Sequence, residues 1–318
     1  MRIFRQLQRY LVKIHLPGGL RLWSTILSLA FVGHSIFSNS DNLSEIPLTI
    51  NIFWWLFHGF WISIFSLIVN AIAWRSLLFW LGCNSRNVDL LSLFLRSNLL
   101  KYLPGGIWHF VARLRALKVH IGSEKAFASV LLEPLLMVSA AFLWIPFGGL
   151  QSGFAILCIF PALLFLKELR IPFLKRLERL KANQLKRIFL EIRYENSIEK
   201  PILQMDDYPF KPMVLEMIFV FLRFSGFWFC LNAFSVDSFI PFLHWLAVFS
   251  FAWTIGLVVP AAPGGLGIFE AILLLRVGSF VPEAPFLASL LCYRLIVTLA
   301  DLFTAFAVVF KRTLKSST

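Results

Sequence analysis

Apolar residues along this chain gather into runs of crossing length, separated by short polar segments. Uninterrupted runs occupy about 20–38, 50–81, 126–147, 151–167, 212–235 and 285–310. Each is read as a helix spanning the roughly 30 Å hydrocarbon core of a bilayer. The run at 50–81 exceeds what a perpendicular crossing needs, which predicts tilt or projection beyond the membrane. Two further apolar stretches, 88–120 and 240–281, are each interrupted near the middle by Pro-Gly-Gly, at 104–106 and 263–265.

The layout repeats within the chain. A first unit, 50–147, reads as helix 50–81, helix 88–102, a break at Pro104-Gly105-Gly106, helix 107–120 and helix 126–147. A second unit, 212–310, reads as helix 212–235, helix 240–260, a break at Pro263-Gly264-Gly265, helix 266–280 and helix 285–310. The expected fold is therefore all-α: a polytopic integral membrane protein, a single membrane domain over 1–318, with about six full spans and two broken helical segments. Each break fits either a re-entrant hairpin or a tight turn between two full spans. Charge does not separate these two, because both leave the chain ends on the same side.

Charge does orient the units. With the N-terminus inside, the outer loops 39–49, 148–150, 236–239 and 279–284 hold Asp41, Glu45, Asp237 and Glu283 and no Lys or Arg. Eleven Lys or Arg lie between Lys167 and Lys211, and Lys311, Arg312 and Lys315 follow the last run. This is the positive-inside distribution. It places both termini in the cytoplasm of a bacterial inner membrane protein and gives the two units inverted topology. Arg2, Arg5, Arg9 and Lys13 precede the first run without a small-residue cleavage site, so that run is expected to stay as an anchor.

Composition agrees with lipid as solvent. Of 318 residues, 58% are hydrophobic and only 15% charged, too few charges to cover a water-facing surface. The net charge of +13 does not indicate nucleic-acid binding, because the 30 Lys and Arg cluster between apolar runs. The polar segment 168–211 alternates leucine with charge, as a helix on an anionic membrane surface does; an ordinary solvated cytoplasmic linker is the plainer reading. Cys83, Cys158, Cys230 and Cys292 are scattered, with no metal-ligand or disulfide spacing. No motif for a cofactor or metal is present, and the histidines and serines form no nucleophile or zinc pattern. The chain is not expected to be an enzyme.

Candidate chemistry lies in charges inside the apolar runs, which are costly there and functional by default. These are Glu133, Arg223, Glu270, Arg276, Arg294 and Asp301. Arg294 and Asp301 are seven apart, as are Glu216 and Arg223, so each couple shares a helix face and is a candidate ion pair. Glu270 falls one turn beyond the second break, where the helix dipole favours a negative charge and a cap is an alternative role. Around the first break stand Arg96, Lys101, Tyr102, Gly105, Gly106, Trp108, His109 and Arg113. Cations and aromatics beside backbone N–H groups freed by a break suit a lipid phosphate. Snorkelling of these cations to the inner headgroups fits the pattern equally well.

The two breaks also carry a family likeness. Residues 96–109 (RSNLLKYLPGGIWH), followed by Arg113, resemble the first signature of the lysylphosphatidylglycerol synthase transmembrane family. Residues 260–271 (PAAPGGLGIFEA) resemble its second signature. Glu133 and Arg294 fall where such proteins tend to carry intramembrane charges. The resemblance, over about 20–310, implies a flippase-like domain that handles a membrane lipid, with an anionic headgroup as partner. It implies a lipid site built from Arg96, Lys101, Tyr102, Gly105, Gly106, Trp108, Arg113, Glu133, Pro263, Gly264, Gly265, Gly267, Glu270 and Arg294. In larger members a separate soluble domain makes the aminoacylated lipid. A sequence of this length leaves no room for it, so synthase activity is not expected. A membrane enzyme acting on lipid-linked substrates and an accessory scaffold for a lipid-modifying enzyme are the rival readings.

Overall fold

The longest apolar runs become the longest helices in the computed structural model, which describes residues 37, 49–83, 88–103, 107–149, 152–169, 172, 207–258 and 267–316. Among the described residues there is no strand. The first unit comprises α1 (Ile50–Trp80), α2 (Leu90–Asn98), a 3-10 turn (Leu99–Tyr102), α3 (Trp108–Ile121) and α4 (Ser123–Trp144), closed by a second 3-10 turn at Ile145–Gly148. α5 (Ser152–Leu163) leads toward the basic loop. The second unit comprises α6 (Phe210–Ala233), α7 (Phe242–Val258), α8 (Ile268–Val277) and α9 (Glu283–Ser316).

Among the described residues, four stretches are long and apolar enough to cross a membrane: Ile50–Trp80, Lys125–Gly148, Phe210–Ala233 and Glu283–Phe310. They are the first and last long helices of each unit. α1, with 31 residues, is about 46 Å long and exceeds a perpendicular crossing, as its sequence predicts. The expected span at 151–167 is shorter than that reading: α5 has 12 residues, about 18 Å, with Pro161 inside it, and the chain turns at 164–166. The expected first anchor at 20–38 and most of the loop 168–211 lie outside the described residues.

The broken segments consist of short helices. α2 has 9 residues, α3 has 14 and α8 has 10. At 1.5 Å per residue these are about 14, 21 and 15 Å long, each less than a hydrocarbon core. α7, with 17 residues, reaches about 26 Å.

α1 and α6, the opening helices of the two units, pack most closely. They run antiparallel: Trp80 Nε1, at the end of α1, donates to the Asp207 carbonyl just before α6 at 3.2 Å. At the other end a Cβ on Gly226 would stand 2.9 Å from Ser63 Oγ, and one on Gly59 would stand 3.4 Å from the Gly226 carbonyl oxygen. Small residues permit this backbone approach, the usual means by which membrane helices gain packing when lipid supplies no hydrophobic drive between them. The opposite face of α1 presents Phe53, Trp54, Phe57, Trp61 and Phe65 outward, each about half exposed. In water such a face would be an aggregation site; against lipid it is the ordinary surface.

α4 is tied to α6 by Trp144 Nε1, which donates to the Met217 carbonyl at 3.1 Å. The second unit is filled by an aromatic cluster. The Phe227 ring lies 5.5 Å from Phe249, 6.2 Å from Phe269 and 5.4 Å from Tyr293, joining α6, α7, α8 and α9. Such pairs add about 0.5–1.5 kcal/mol each beyond burial and fix relative orientation. Their consequence for the site is direct, because Phe269 precedes Glu270 and Tyr293 precedes Arg294.

Candidate functional site

The described segments beside both breaks are held against the same helix. From the first, Lys101 Nζ lies 2.6 Å from Asp301 Oδ2 of α9, and the Tyr102 hydroxyl donates to the same oxygen at 2.6 Å. Asn98, one turn earlier, donates from Nδ2 to Asp301 Oδ1 at 2.8 Å. Three donors therefore converge on one carboxylate whose side chain is fully buried. From the second break, Glu270 pairs with Arg294 of α9, the Arg294 Nε donating to Oε1. The other Glu270 oxygen accepts the Gly267 N–H at 2.7 Å. Gly267 has φ +86° and ψ −38°, a backbone that only glycine adopts easily, and it starts α8.

Glu270 is thus a cap and an ion-pair partner at once. Its position after the glycines made either role readable. The cap also means that the Gly267 N–H is already used within the protein.

Seven residues separate Arg294 from Asp301, about 10.5 Å along α9. The expectation that these two pair with each other is corrected. Two helical turns on one face are too far for contact, and each turns instead to a different broken segment. Glu216 and Arg223 on α6 are likewise not paired. Arg223 Nη2 stands 4.0 Å from Asp301 Oδ1, with the guanidinium over the Phe219 ring at 5.5 Å. Glu216 is buried toward Glu133 and Arg113, whose charges act on it.

A second ion pair stands within the first unit. Arg113 of α3 donates from Nη1 to both oxygens of Glu133 on α4, at 2.7 and 2.6 Å, and from Nε to Ser97 Oγ at 2.9 Å. Its guanidinium lies 3.8 Å from the Phe94 ring centroid and 5.3 Å from that of Trp74. Both partners are sealed, with side-chain exposures of 1% and 4%. An arginine so enclosed depends on its carboxylate, because a lone charge there would carry the full desolvation cost.

The two units thus contain the same device with the charges exchanged. In the first, the half-helix after the break supplies arginine and the closing long helix supplies glutamate. In the second, α8 supplies Glu270 and α9 supplies Arg294. Both arginines lie over an aromatic ring, Phe94 for Arg113 and Phe269 for Arg294, the latter at 4.9 Å. Both pairs fasten the return half of a broken segment to the helix that follows it.

The remaining sequence candidates are placed as follows. Arg96 is exposed on α2, and Arg276 is exposed on α8 with its guanidinium over Phe251. Trp108, at the start of α3, is 45% exposed. The His109 ring lies against Phe110 at a tilt of 40°, with a ring-centroid separation of 3.8 Å. Gly105, Gly106, Pro263, Gly264 and Gly265, with Pro104, lie outside the described residues. The structure brings Lys101, Tyr102, Glu270 and Arg294 to one face of α9 and Arg113 with Glu133 to a separate, closed pair.

Asp301 is the residue whose centrality sequence reasoning missed. It is legible as an intramembrane acid seven residues after Arg294, but nothing local announces that its partners lie some 200 positions earlier, at Asn98, Lys101 and Tyr102. Asn98 carried no signal of its own.

Comparison with known proteins agrees with the likeness read from the two breaks. No curated protein matches the chain. The profile of the lysylphosphatidylglycerol synthase TM region matches residues 22–303, both units together. The chain therefore belongs to the lysylphosphatidylglycerol synthase TM region family, membrane proteins tied to lipid metabolism.

Proposed function

We propose that the protein is a flippase-like lipid translocator. It admits a phospholipid headgroup to the polar band along α9 and lets it pass between leaflets without covalent chemistry. The observation that carries this reading is the attachment of both broken segments to one face of α9, at Asp301 and at Arg294. Half-helices too short to cross, meeting from opposite sides, form the common plan of transport sites near the bilayer midplane. Irregular backbone at that depth is tolerated where it lines a cavity or is covered by protein. In this reading both breaks are re-entrant, the first entering from the cytoplasm and the second from outside, with the termini in the cytoplasm of a bacterial inner membrane. The zero count of Lys and Arg in the outer loops supports that orientation.

Headgroup binding falls to the cations that keep a path outward. Lys101 and Arg294 each retain 22% side-chain exposure, whereas Arg113 is closed off by Glu133 and serves to hold α3. In the band Lys101, Arg223 and Arg294 face Asp301 and Glu270, leaving one positive charge in excess. That balance favours a phosphodiester headgroup of single negative charge, bound by charge-assisted hydrogen bonds. Glu133, Glu270 and Asp301 are each engaged by a cation, an arrangement for binding and positioning rather than for acid–base catalysis. The proposal is tested in reconstituted vesicles with headgroup-labelled anionic phospholipid. Leaflet exchange faster than in protein-free vesicles, and lost in Lys101→Ala, supports it; equal rates with and without protein contradict it.

A further inference from the structure

Of the four carboxylates buried among the described residues, one has no cation of its own. Glu133 has Arg113, Glu270 has Arg294 and Asp301 has Lys101. Glu216, on α6, is 1% exposed, and its Oε2 has no hydrogen-bond partner among the described residues. We propose that Glu216 is a proton-binding site inside the membrane, and that its ionised form competes with Glu133 for Arg113 and so shifts the first broken segment.

The surroundings favour this assignment over an ordinary buried side chain. The antiparallel register that sets Gly59 and Ser63 of α1 on Gly226 of α6 brings the Asn70–Trp74 turn level with Glu216, ten residues along each helix. Asn70 Oδ1 and Trp74 Nε1 are also buried without a partner among the described residues, and so is Ser63 Oγ farther along the same face of α1. A seam of unpartnered polar atoms thus follows the α1–α6 contact. In a medium this apolar an ionised carboxylate without donors is far costlier than the neutral acid, so the proton is the ligand that best satisfies the site.

The charged groups around Glu216 are few. From α4 comes Glu133 and from α3 Arg113, and these act in opposite senses. The α1 groups His58 and Arg75 are exposed and away from it. His244, in the first turn of α7, is bonded to the Gly148 carbonyl. From α9, Asp301 and Arg294 are held in their own pairs, and on α6 itself Arg223 faces Asp301 while Lys211 is exposed. When the O–H bond breaks and the proton leaves to water, the new carboxylate has one cation near it, Arg113. That guanidinium already divides its donors between Ser97 and Glu133. Sharing it a third way draws α3 from its present seat against α2 and α4. Intramembrane acids with this character mark proton relays in pumps and transporters.

The proton site stands on the geometry alone, while its link to lipid movement rests on the translocation reading; two arms of one experiment separate them. The first is infrared spectroscopy of the full chain in bilayers. A carbonyl-stretch band of a protonated carboxyl is expected at neutral pH, abolished in Glu216→Gln and displaced in Glu216→Asp. Absence of that band from the wild type, or its persistence unchanged in both variants, overturns the site. The second arm measures leaflet exchange of labelled anionic phospholipid with and without an imposed pH gradient. The wild-type rate is expected to change severalfold with the gradient, and the Glu216→Gln rate to ignore it. A gradient response that survives in Glu216→Gln overturns the coupling. No exchange in any protein-containing vesicle counts against translocation alone and leaves the infrared arm to decide the proton site.

Discussion

Arg294 and Asp301 stand two turns apart on α9, and each holds a different broken segment: Arg294 through Glu270 of α8, Asp301 through Lys101 and Tyr102. One helix of the second unit is thereby the common support for the break of its own unit and the break of the other. The headgroup site proposed above is the space this support defines.

Asp301 is expected to be the most sensitive position in that support. Asp301→Ala leaves Lys101 and Arg223 without their shared counter-ion and should lower stability by roughly 3–5 kcal/mol, the usual cost of orphaning a buried charge. Asp301→Asn keeps one acceptor oxygen, for Asn98 or for Tyr102, and should lose less. Thermal unfolding in detergent checks both; a midpoint for Asp301→Ala equal to the wild type would contradict the assignment.

The exchanged charges of the two units make a sharper test. Arg113→Glu and Glu133→Arg should each destabilise by about 3–5 kcal/mol, because each sets like charges together in a closed site. The double exchange restores an opposite pair in the order that α8 and α9 already use, so it should recover much of the loss. A double variant as unstable as the sum of the singles would show that the two ends are not interchangeable.

Gly148 is predicted to be intolerant of any side chain. A Cβ there would come within 2.3 Å of Ala247 Cβ and 3.2 Å of the Leu243 carbonyl oxygen, both on α7. Since neither neighbour can rotate away, Gly148→Ala should cost about 1–3 kcal/mol. Adding Ala247→Gly should return part of it, less the roughly 1 kcal/mol that glycine costs in a helix.

At Gly267 the backbone itself is the constraint. With φ +86° any side chain is strained, and Gly267→Ala should cost about 1–3 kcal/mol while disturbing the N–H bond to Glu270. The matching functional expectation is weaker lipid binding without unfolding, read by native mass spectrometry of co-purified lipid. Unchanged lipid occupancy would detach the start of α8 from the headgroup site.

Much of this architecture was legible in the sequence because the membrane restricts what apolar runs can do. The long helices α1, α4, α6 and α9 fall within a few residues of the runs that predicted them, and separate described helices lie on either side of each Pro-Gly-Gly. The list of intramembrane charges contained Glu133, Arg223, Glu270, Arg294 and Asp301, all of which the structure places in ion pairs. Their partners were not legible. Helical spacing joins positions three, four or seven apart, so it offered Arg294 with Asp301 and Glu216 with Arg223. The actual contacts join Arg113 to Glu133 across a helix turn-back, and Tyr102 to Asp301 between units. Those depend on which long helix stands beside which half-helix, information carried by tertiary packing alone. The same reasoning put Arg113 among the headgroup cations, because enclosure by Phe94, Trp74 and Glu133 is invisible until α2, α3 and α4 are assembled.

The central claim is that the two breaks meet near the middle of the membrane on one face of α9. The most direct measurement is the distance between spin labels at positions 103 and 268, which flank the breaks, in a variant lacking the four native cysteines and reconstituted in bilayers. Anchors about 10.5 Å apart on α9 predict a label separation on the order of 10–20 Å, with both labels shielded from water-soluble relaxation agents. A separation close to the roughly 30 Å hydrocarbon thickness, with each label at an opposite aqueous boundary, would contradict the account.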